Sequence, residues 1–367
     1  VTNPARCDTK VILTLTMNLN DFVINHEIPI IVKAISFESL TGKQATFGYF
    51  FSNMSNYKGL TETAASALDV INYSFARCTE DGVVSISGLT KIPEVLQARK
   101  QGVRVVLCIG GYGAVNKTFS DAALTKEGRE KFAQAVLDII EKYHFDGVDI
   151  DWEYPGYETG RDTSVDRPNY TNLMYTIRKT LKSVNEDYLV TAAVPGGPWG
   201  NSRFDINNLN SILDYFHLMT YDFHNSSKVV HHTALYSSSG TSTGCSVDST
   251  VALFKSLGAS PSKLVVGAAF YGRKYVLSED VENKYMLGST KVAASGECVT
   301  FTQVYNNYIK KVDNVNIFNA FDSTSKAHYI IDKPNRVVIS YESTTSLSYK
   351  CQYVKANNLG GLMFWDY

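Results

Sequence analysis

The sequence predicts an α/β fold, a (β/α)8 TIM barrel with a small α+β insertion between its seventh and eighth strands. Two observations predict it: eight β-rich runs alternate with helical segments from residue 46 onward, and the last gap between runs is too long for one helix. Strands that alternate with helices are typical of parallel β/α units, and eight such units close into a barrel. The runs are Thr46–Phe51, Val70–Ala76, Val103–Ile109, Gly147–Asp151, Leu189–Val194, Phe216–Tyr221, Leu264–Phe270 and Gly361–Trp365.

Between the runs, apolar side chains recur at helical spacing, as expected for helices that pack one face against a sheet. Such faces hold Phe132, Val136, Ile139 and Tyr143 in one segment and Leu173, Ile177 and Leu181 in another. The long gap contains the β-like stretches Tyr275–Leu277 and Val337–Tyr341, separated by polar turns. The segment before the first run is apolar in places, shows no clear period and receives no predicted role. The predicted domains are an N-terminal segment at 1–45, a barrel formed by 46–273 and 341–367, and an insertion at 274–340.

Charge and composition exclude several classes of partner. A formal net charge of −1 gives no electrostatic basis for binding nucleic acid or an anionic membrane. No apolar run reaches the length of a membrane span. The six cysteines include no CxxC pair, so a zinc cluster is not expected, and we predict neither a metal nor a cofactor. We expect a monomer.

Glycosylation triplets and cysteines bear on the compartment. Asn-X-Ser/Thr triplets favour a secreted protein. They occur at Asn53, Asn116, Asn169 and Asn225, and also at Asn72 inside a predicted strand. The even number of cysteines permits disulfides without requiring them.

The segment Phe145–Glu153, with the sequence FDGVDIDWE, carries the strongest functional signal. Side chains alternate along a strand, so Asp149, Asp151 and Glu153 share the face that points into the barrel, and the apolar residues between them face the helices. Carboxylates at close range raise at least one pKa. A carboxylic acid kept protonated near neutral pH can protonate a leaving group. Glu153 lies nearest the carboxyl end of the strand, where barrel active sites lie, so we predict that it is the proton donor.

Two other interpretations of this segment compete. A solvated acidic edge strand does not explain why the intervening residues are large and apolar. A divalent-metal site is the second rival, since the pattern D-x-D-x-E can hold Mg²⁺ or Mn²⁺. A metal-dependent enzyme would lose its activity to a chelator, whereas we expect a chelator to have no effect.

The segment resembles the DGxDxDxE signature of family 18 glycoside hydrolases, which include the chitinases. Similar motifs continue along nearly all of residues 46–367, and the insertion resembles the small α+β domain of the deep-cleft subgroup. The motifs that carry the resemblance are Ile71–Ala76 on the second strand, Cys108–Gly111 on the third, Met219–Phe223 on the sixth, Phe270–Arg273 on the seventh and Gly360–Trp365 on the eighth.

The resemblance implies a retaining mechanism in which the sugar's own N-acetyl oxygen attacks the anomeric carbon. By this resemblance Glu153 protonates the glycosidic oxygen and later activates water. Asp151 holds the acetamido N–H and offsets the developing positive charge, and Asp149 supports it from below. Tyr221 orients the acetamido oxygen. The implied substrate is chitin or N-acetylglucosamine oligosaccharides joined by β-1,4 links.

The resemblance also implies a set of substrate-binding residues. Trp365 is expected to form an aromatic floor under the sugar being cleaved. The other expected positions are Met219, Asp222, Tyr49, Phe75, Tyr112, Tyr271 and Arg273. For most of the aromatic residues, packing inside the barrel is the competing interpretation, and for Arg273 it is a plain salt bridge.

Three departures from the family pattern stand out. Cys108 occupies the place of a serine that supports the inner acids, and a thiol is the weaker donor. Tyr112 stands where a tryptophan often follows the paired glycines. Asn225–Ser227 replaces a segment that usually carries a tryptophan on the leaving-group side. These changes weaken the case for a strong grip on crystalline chitin and leave the acetamido chemistry intact.

Two other functions stay open at this point. An endo-β-N-acetylglucosaminidase acting on N-glycans would use the same catalytic set. A non-catalytic chitin-binding lectin on the same fold typically lacks the proton donor, whereas this sequence retains Glu153, Asp151 and Tyr221. We therefore predict an enzyme of the chitinase type.

Overall fold

The computed structural model describes residues 9–19, 22–32, 37–51, 57, 59–113, 116–279 and 287–367, with 9–19 and 22–32 described by their backbone. The strands in chain order are β1 (Thr9–Leu19), β2 (Phe22–Val32), β3 (Ala45–Phe51), β4 (Val70–Cys78), β5 (Val84–Ser85), β6 (Arg104–Gly110), β7 (Gly147–Asp151), β8 (Leu189–Pro195), β9 (Tyr215–Met219), β10 (Leu264–Ala269), β11 (Tyr271–Leu277), β12 (Val292–Thr300), β13 (Ile317–Asp322), β14 (Ala327–Asp332), β15 (Val337–Tyr341) and β16 (Gly361–Trp365).

Helices separate most of these strands. They are α1 (Glu62–Ser66), α2 (Ile92–Leu96), α3 (Asn116–Leu124), α4 (Lys126–Tyr143), α5 (Thr163–Lys182), α6 (Ile206–Ile212), α7 (Val247–Ser256), α8 (Phe301–Asn307) and α9 (Thr344–Ala356). Short 3-10 turns lie at Gln97–Gln101, Asn201–Arg203, Pro261–Lys263 and Ile309–Lys311. Within the described ranges, no helix is both long and apolar enough to span a membrane.

Eight strands close into the predicted parallel barrel. Their order around the ring is β3, β4, β6, β7, β8, β9, β10 and β16, and β16 pairs again with β3. All eight predicted runs are strands of this barrel, and their ends differ from the predicted ones by at most two residues. The (β/α)8 TIM barrel is therefore confirmed.

The long helix α4 shows how the local sequence leads into the acidic strand. Thr125 caps its start by accepting a hydrogen bond from the Gly128 N–H, and the helix ends at His144, which has a left-handed φ of 63°. Phe132 and Val136 of the predicted face are fully buried. Three residues after the cap, β7 begins at Gly147 and carries the acids into the barrel.

The two faces of β7 meet different surroundings, as the alternation predicts. Val148, Ile150 and Trp152 are fully buried in the layer between strands and helices. Trp152 stacks on Phe119 of α3, with ring centroids 5.5 Å apart. The acidic side chains therefore point the other way, into the barrel.

The residues between β10 and α9 contain a second sheet. Its strand order is β12, β11, β15, β14, β13, and every neighbouring pair is antiparallel. The two β-like stretches noted in the sequence lie in β11 and β15. Only Phe270 separates β10 of the barrel from β11, so the second sheet starts directly above the barrel rim. The domain limits at 274 and 340 stay a prediction.

The N-terminal residues hold regular structure that the sequence analysis did not assign. Strands β1 and β2 pair antiparallel from Thr9 opposite Val32 to Leu19 opposite Phe22. The finding of no clear period was wrong over Leu13–Leu19, where apolar residues alternate with threonine and asparagine. That alternation is typical of a strand with two different faces.

Candidate active site

A cavity of about 620 Å³ opens at the carboxyl ends of the barrel strands. Ten of the twelve predicted site residues line it: Tyr49, Phe75, Tyr112, Asp151, Glu153, Met219, Tyr221, Asp222, Arg273 and Trp365. The other two, Asp149 and Tyr271, touch the lining residues from behind. Residues distant in the sequence thus meet where the acidic strand ends.

Asp149 lies deepest and is fully buried. Its Oδ2 accepts hydrogen bonds from the Tyr49 hydroxyl at 2.8 Å and from the Cys108 thiol at 3.2 Å. Its Oδ1 accepts one from the Thr191 hydroxyl at 2.6 Å and lies 3.2 Å from His217 Nδ1. Burial alone would raise the pKa of Asp149, but these partners, above all His217, hold that pKa below its ordinary value.

Asp151 is the middle acid, and its pKa moves the opposite way. Burial and the negative charges of Glu153 and Asp149 raise the pKa of Asp151 well above its ordinary value, against the opposing charge of Arg77. Its Oδ1 is buried and has no hydrogen-bond partner among the described residues. The middle acid therefore holds a proton readily and has a free acceptor for a ligand.

The backbone beside Asp151 is closely packed. Gly110 ends β6 with a φ of 122°, and a Cβ on it would lie 2.0 Å from the Asp151 carbonyl oxygen. Any side chain there would push the two strands apart. The glycine of this motif therefore fixes the distance between β6 and the acidic strand.

Glu153 stands at the mouth of the cavity, two residues beyond the end of β7. Burial raises the pKa of Glu153 to about 7, and the negative charge of Asp222 adds to the rise, while a hydrogen bond with Tyr154 opposes it. A carboxyl group with this pKa is protonated in a large fraction of molecules near neutral pH. It can therefore act first as an acid and then as a base.

The opposite wall is built around Asp222. Its Oδ1 accepts hydrogen bonds from Arg273 Nε at 2.6 Å and from the Tyr271 hydroxyl at 2.7 Å. Burial would raise the pKa of Asp222. The hydrogen bond from Arg273 and the charges of His232 and Arg273 outweigh burial and hold that pKa below its ordinary value. Arg273 comes from the first strand of the second sheet, which is thus tied to the barrel rim.

Aromatic rings form the bottom of the cavity. Trp365 at the end of β16 stacks on Phe75 with centroids 5.5 Å apart, and Tyr49 lies 6.0 Å from it. Tyr221 packs edge-on against Tyr271 at 6.2 Å, and its hydroxyl lies 3.9 Å from Met363 Sδ. Among these residues, the hydrogen-bond partner of the Tyr221 hydroxyl is the Met363 sulfur, which is a weak acceptor.

Residues 46–367 match the family model described as Glycosyl hydrolases family 18. The chain belongs to glycoside hydrolase family 18. The family predicted from the motifs is confirmed.

Relatives of this family 18 hydrolase include proteins named as a chitinase and a chitotriosidase. It is 30% identical over 295 residues to Chitinase A1 of Niallia circulans, a match that covers 74% of this chain and 41% of that protein. It is 28% identical over 288 residues to Chitotriosidase-1 of Mus musculus, covering 74% and 59%. The chain thus spans less than two thirds of the length of both relatives.

Several solved structures match nearly end to end, and a family 18 enzyme is among them. The N-acetylglucosaminidase from Paenibacillus barengoltzii superimposes with a TM-score of 0.77 at 30% identity. The match covers 89% of this chain and 95% of that one.

The family 18 hydrolase also has cavity residues that sequence reasoning missed. Tyr154, Tyr157 and Trp199 line the cavity, together with the glycines that precede Trp199. Trp199 follows the fifth barrel strand, and aromatic residues placed just after a barrel strand are a signal that would have found it. Thr191 and His217 were also missed, although His217 shares its strand face with Met219.

The other sequence-based expectations have mixed outcomes. Across the described residues, no three His, Cys, Asp or Glu side chains come together as metal ligands would. The thiols of Cys78, Cys108, Cys245, Cys298 and Cys351 are free, and Cys7 lies outside the described residues. Of the triplets, Asn72 and Asn116 are buried, Asn169 and Asn225 are partly exposed, and Asn53 lies outside the described residues.

A second and larger cavity, of about 900 Å³, opens at the opposite end of the barrel. Some of its charged groups are paired: Arg99 binds Asp146 at 2.9 Å, and Asp214 lies 3.2 Å from Arg178 outside the lining. None of Asp149, Asp151 and Glu153 lines it. Barrel active sites lie at the other end, so its size carries no functional weight.

Proposed function

We propose that this family 18 hydrolase cleaves β-1,4 links between N-acetylglucosamine units, in chitin or its oligosaccharides, with retention of configuration. The observation that carries the proposal is the vertical order of the three acids. Asp149 is held ionised at the base, Asp151 holds a proton readily, and Glu153 has a pKa near 7 at the cavity mouth. The names of the curated relatives support the choice of substrate.

The arrangement supports participation of the substrate's own acetamido group. Of the carboxylates lining the cavity, Asp222 is occupied by Arg273 and Tyr271 and is poorly placed to attack a sugar carbon. Membership of family 18 supports the carbonyl oxygen of the N-acetyl group as the nucleophile, which forms a bond to the anomeric carbon as the glycosidic bond breaks. The bonding electrons leave with the glycosidic oxygen, which takes the proton of Glu153.

Asp151 has the role of holding the acetamido N–H during this step. Its buried Oδ1 has no other partner among the described residues, and its negative charge offsets the positive charge of the cyclic intermediate. Tyr221 points its hydroxyl at the carbonyl side and fixes the direction of attack. Water then opens the intermediate while Glu153, now a carboxylate, accepts its proton.

Hydrolysis of a chromogenic chitobioside tests the proposal. Wild type is expected to release the dye, and Glu153→Gln to lose that activity while keeping its fold and its affinity for the sugar. Direct observation of the released sugar by proton NMR should show the β-anomer first. Binding by both proteins with cleavage by neither would identify a lectin instead, and an α-anomer would rule out retention.

Product patterns separate the remaining enzymatic alternatives. The similar N-acetylglucosaminidase structure makes release of single sugars from chain ends a specific candidate. Digestion of N-acetylglucosamine pentamers should give disaccharides if the enzyme cuts within chains and monosaccharides if it trims ends. A high-mannose glycoprotein tests the N-glycan alternative, and treatment with EDTA tests the metal-dependent one, for which we expect unchanged activity.

We also propose that the protein is a secreted monomer. The partly exposed triplets at Asn169 and Asn225 support secretion, since both are accessible to a glycosylating enzyme. Expression in a eukaryotic secretory host, followed by deglycosylation, should lower the apparent mass. Light scattering after gel filtration should give a mass near that of a single chain.

A further inference from the structure

A histidine at the centre of the barrel contacts Asp149, but the mechanism described so far gives it no step of its own. His217 lies on β9 and is fully buried. Its Nδ1 is 2.8 Å from the Tyr49 hydroxyl oxygen and 3.2 Å from Asp149 Oδ1. Buried histidines are usually fixed by one hydrogen bond, whereas this ring faces an acid that belongs to the active site.

The neighbours of Nδ1 decide which ring nitrogen carries hydrogen. Tyr49 gives its single hydroxyl hydrogen to Asp149 Oδ2, so it presents a lone pair to Nδ1. Asp149 Oδ1 presents a second lone pair. A bare nitrogen would face both acceptors without a hydrogen between them, so Nδ1 is the protonated nitrogen.

Asn72 agrees with this assignment. Its amide nitrogen is placed 3.2 Å from Nδ1, while its Oδ1 has no partner among the described residues. Rotation of the Asn72 amide by half a turn exchanges its oxygen and nitrogen and gives that oxygen a donor. His217 Nε2 is buried without a partner within the described chain, so a second hydrogen there would be left unsatisfied.

With this hydrogen in place, the acceptor capacity of Asp149 is full. A carboxylate offers about four lone-pair positions. Four donors reach Asp149 from four different strands: Tyr49 on β3, Cys108 on β6, Thr191 on β8 and His217 on β9. No position is left to accept a hydrogen from Asp151.

We infer that His217 is a positioning residue for the proposed reaction, because its Nδ1–H keeps Asp149 a carboxylate and so confines the shared proton to Asp151 and Glu153. This inference rests on the proposed function. In it, Asp149 is a fixed negative charge beneath the pair and never takes up the proton. The charge stabilises the positive intermediate through Asp151 throughout the reaction.

Other titratable groups around Asp149 and His217 do not explain why Asp149 stays a carboxylate. The groups facing Asp149 and His217 are Tyr49, Cys108, Asp151, and the more distant Tyr170 and Tyr221. Burial raises the pKa values of the four tyrosine and cysteine side chains well above their ordinary values, so these groups stay protonated between pH 4 and 8. The titration that His217 controls is therefore that of the acids.

Two matched variants test the inference. His217→Leu keeps the volume and removes the N–H, whereas His217→Gln supplies an amide N–H that cannot titrate. For the leucine variant we expect the acidic limb of the kcat profile to move to higher pH, with kcat at pH 5 lowered about tenfold. KM and the basic limb should stay unchanged, and the glutamine variant should recover most of the wild-type profile.

A folded leucine variant with the wild-type acidic limb would overturn the inference, as would a glutamine variant no better than leucine. Nitrogen NMR on wild type labelled with 15N-histidine provides an arm that needs no variant to be active. His217, assigned by loss of its signal in the glutamine variant, should carry hydrogen on Nδ1 from pH 4 to 8. Hydrogen on Nε2 alone contradicts the inference, whatever the enzyme cleaves. A wild type inactive on chitobioside counts against the proposed function only.

Discussion

Tyr154 packs edge-on against Trp199, with ring centroids 4.8 Å apart, directly beside the proton donor. Trp199 is 56% exposed although it is large and apolar, and it lines the cavity. An exposed ring held upright by a buried one is suited to stacking on a sugar. Trp199 supplies an aromatic surface in the cavity, whereas the segment Asn225–Ser227 after the sixth barrel strand has no aromatic residue.

We expect Trp199→Ala to raise KM for N-acetylglucosamine tetramers about tenfold, the equivalent of about 1.4 kcal/mol of lost stacking. The chromogenic disaccharide should be affected less, because it contacts fewer positions along the cavity. Steady-state kinetics on both substrates measure the difference. Trp199→Phe is the control and should stay close to wild type; equal losses on the two substrates would contradict a platform for longer chains.

The pKa of Glu153 gives the enzyme a basic limb near pH 7. The donor must be protonated, so kcat should be full below about pH 7 and fall above it. The charge of Asp222 contributes to the raised pKa, and Asp222→Asn should therefore move the basic limb to lower pH. Profiles of kcat for both proteins check this. A limb that stays in place would mean that another group sets it.

Replacement of Cys108 by serine tests the support of Asp149. A hydroxyl donates a stronger hydrogen bond than a thiol, so Cys108→Ser should stabilise the Asp149 carboxylate further. We expect a folded, active enzyme whose acidic limb moves to lower pH. Thermal unfolding and a kcat profile measure the two effects. An acidic limb at higher pH would show that the thiol is the better donor in this site.

Asp151→Asn should separate activity from stability. Turnover should fall by orders of magnitude while oligosaccharide binding persists, because the offsetting charge is lost and the cavity stays intact. The pKa of Asp151 is raised on folding, so its ionisation disfavours the folded state as pH rises above the unfolded value of about 4. The variant should thus unfold at a higher temperature than wild type at pH 7, with little difference at pH 3. Unchanged turnover would count against substrate assistance.

A buried ion pair joins the last helix to the segment just before it. Lys350 on α9 binds Glu342 and also donates to the Thr233 hydroxyl, and both charged groups are buried. Lys350→Met should lower the free energy of unfolding by about 3–5 kcal/mol, because Glu342 is left buried and unpaired. Urea unfolding of this variant and of the double variant Lys350→Met/Glu342→Leu checks it. Recovery of much of the loss in the double variant is expected; additive losses would contradict it.

The sequence was sufficient for the parts of the site that lie on one strand or in one motif. Alternation along β7 gave the inward direction of Asp149 and Asp151, and the repeat of runs gave the barrel. Partners on neighbouring strands were out of reach, since register decides them. Asp149 stands level with Cys108 of β6 and Thr191 of β8, a match that no pattern within either strand encodes.

Long-range contacts across the barrel were equally hidden. His217 reaches Asp149 from a strand that is not its neighbour, and only closure of the ring brings the two together. Trp199 lies on a loop, where periodicity gives no guidance. The N-terminal strands were missed for a different reason, because their alternation spans few residues and competes with apolar stretches on either side.

The donors around Asp149 come from four separate strands of one ring. A half-assembled barrel would bury this acid with some of its donors missing, at a cost that grows with each absent strand. Asp149, which supports the catalytic acids, therefore also destabilises chains in which the barrel is incomplete. Fragments, swapped halves and circular permutants of the protein should regain hydrolysis only when the whole ring has formed, which makes activity a sensitive reporter of correct assembly.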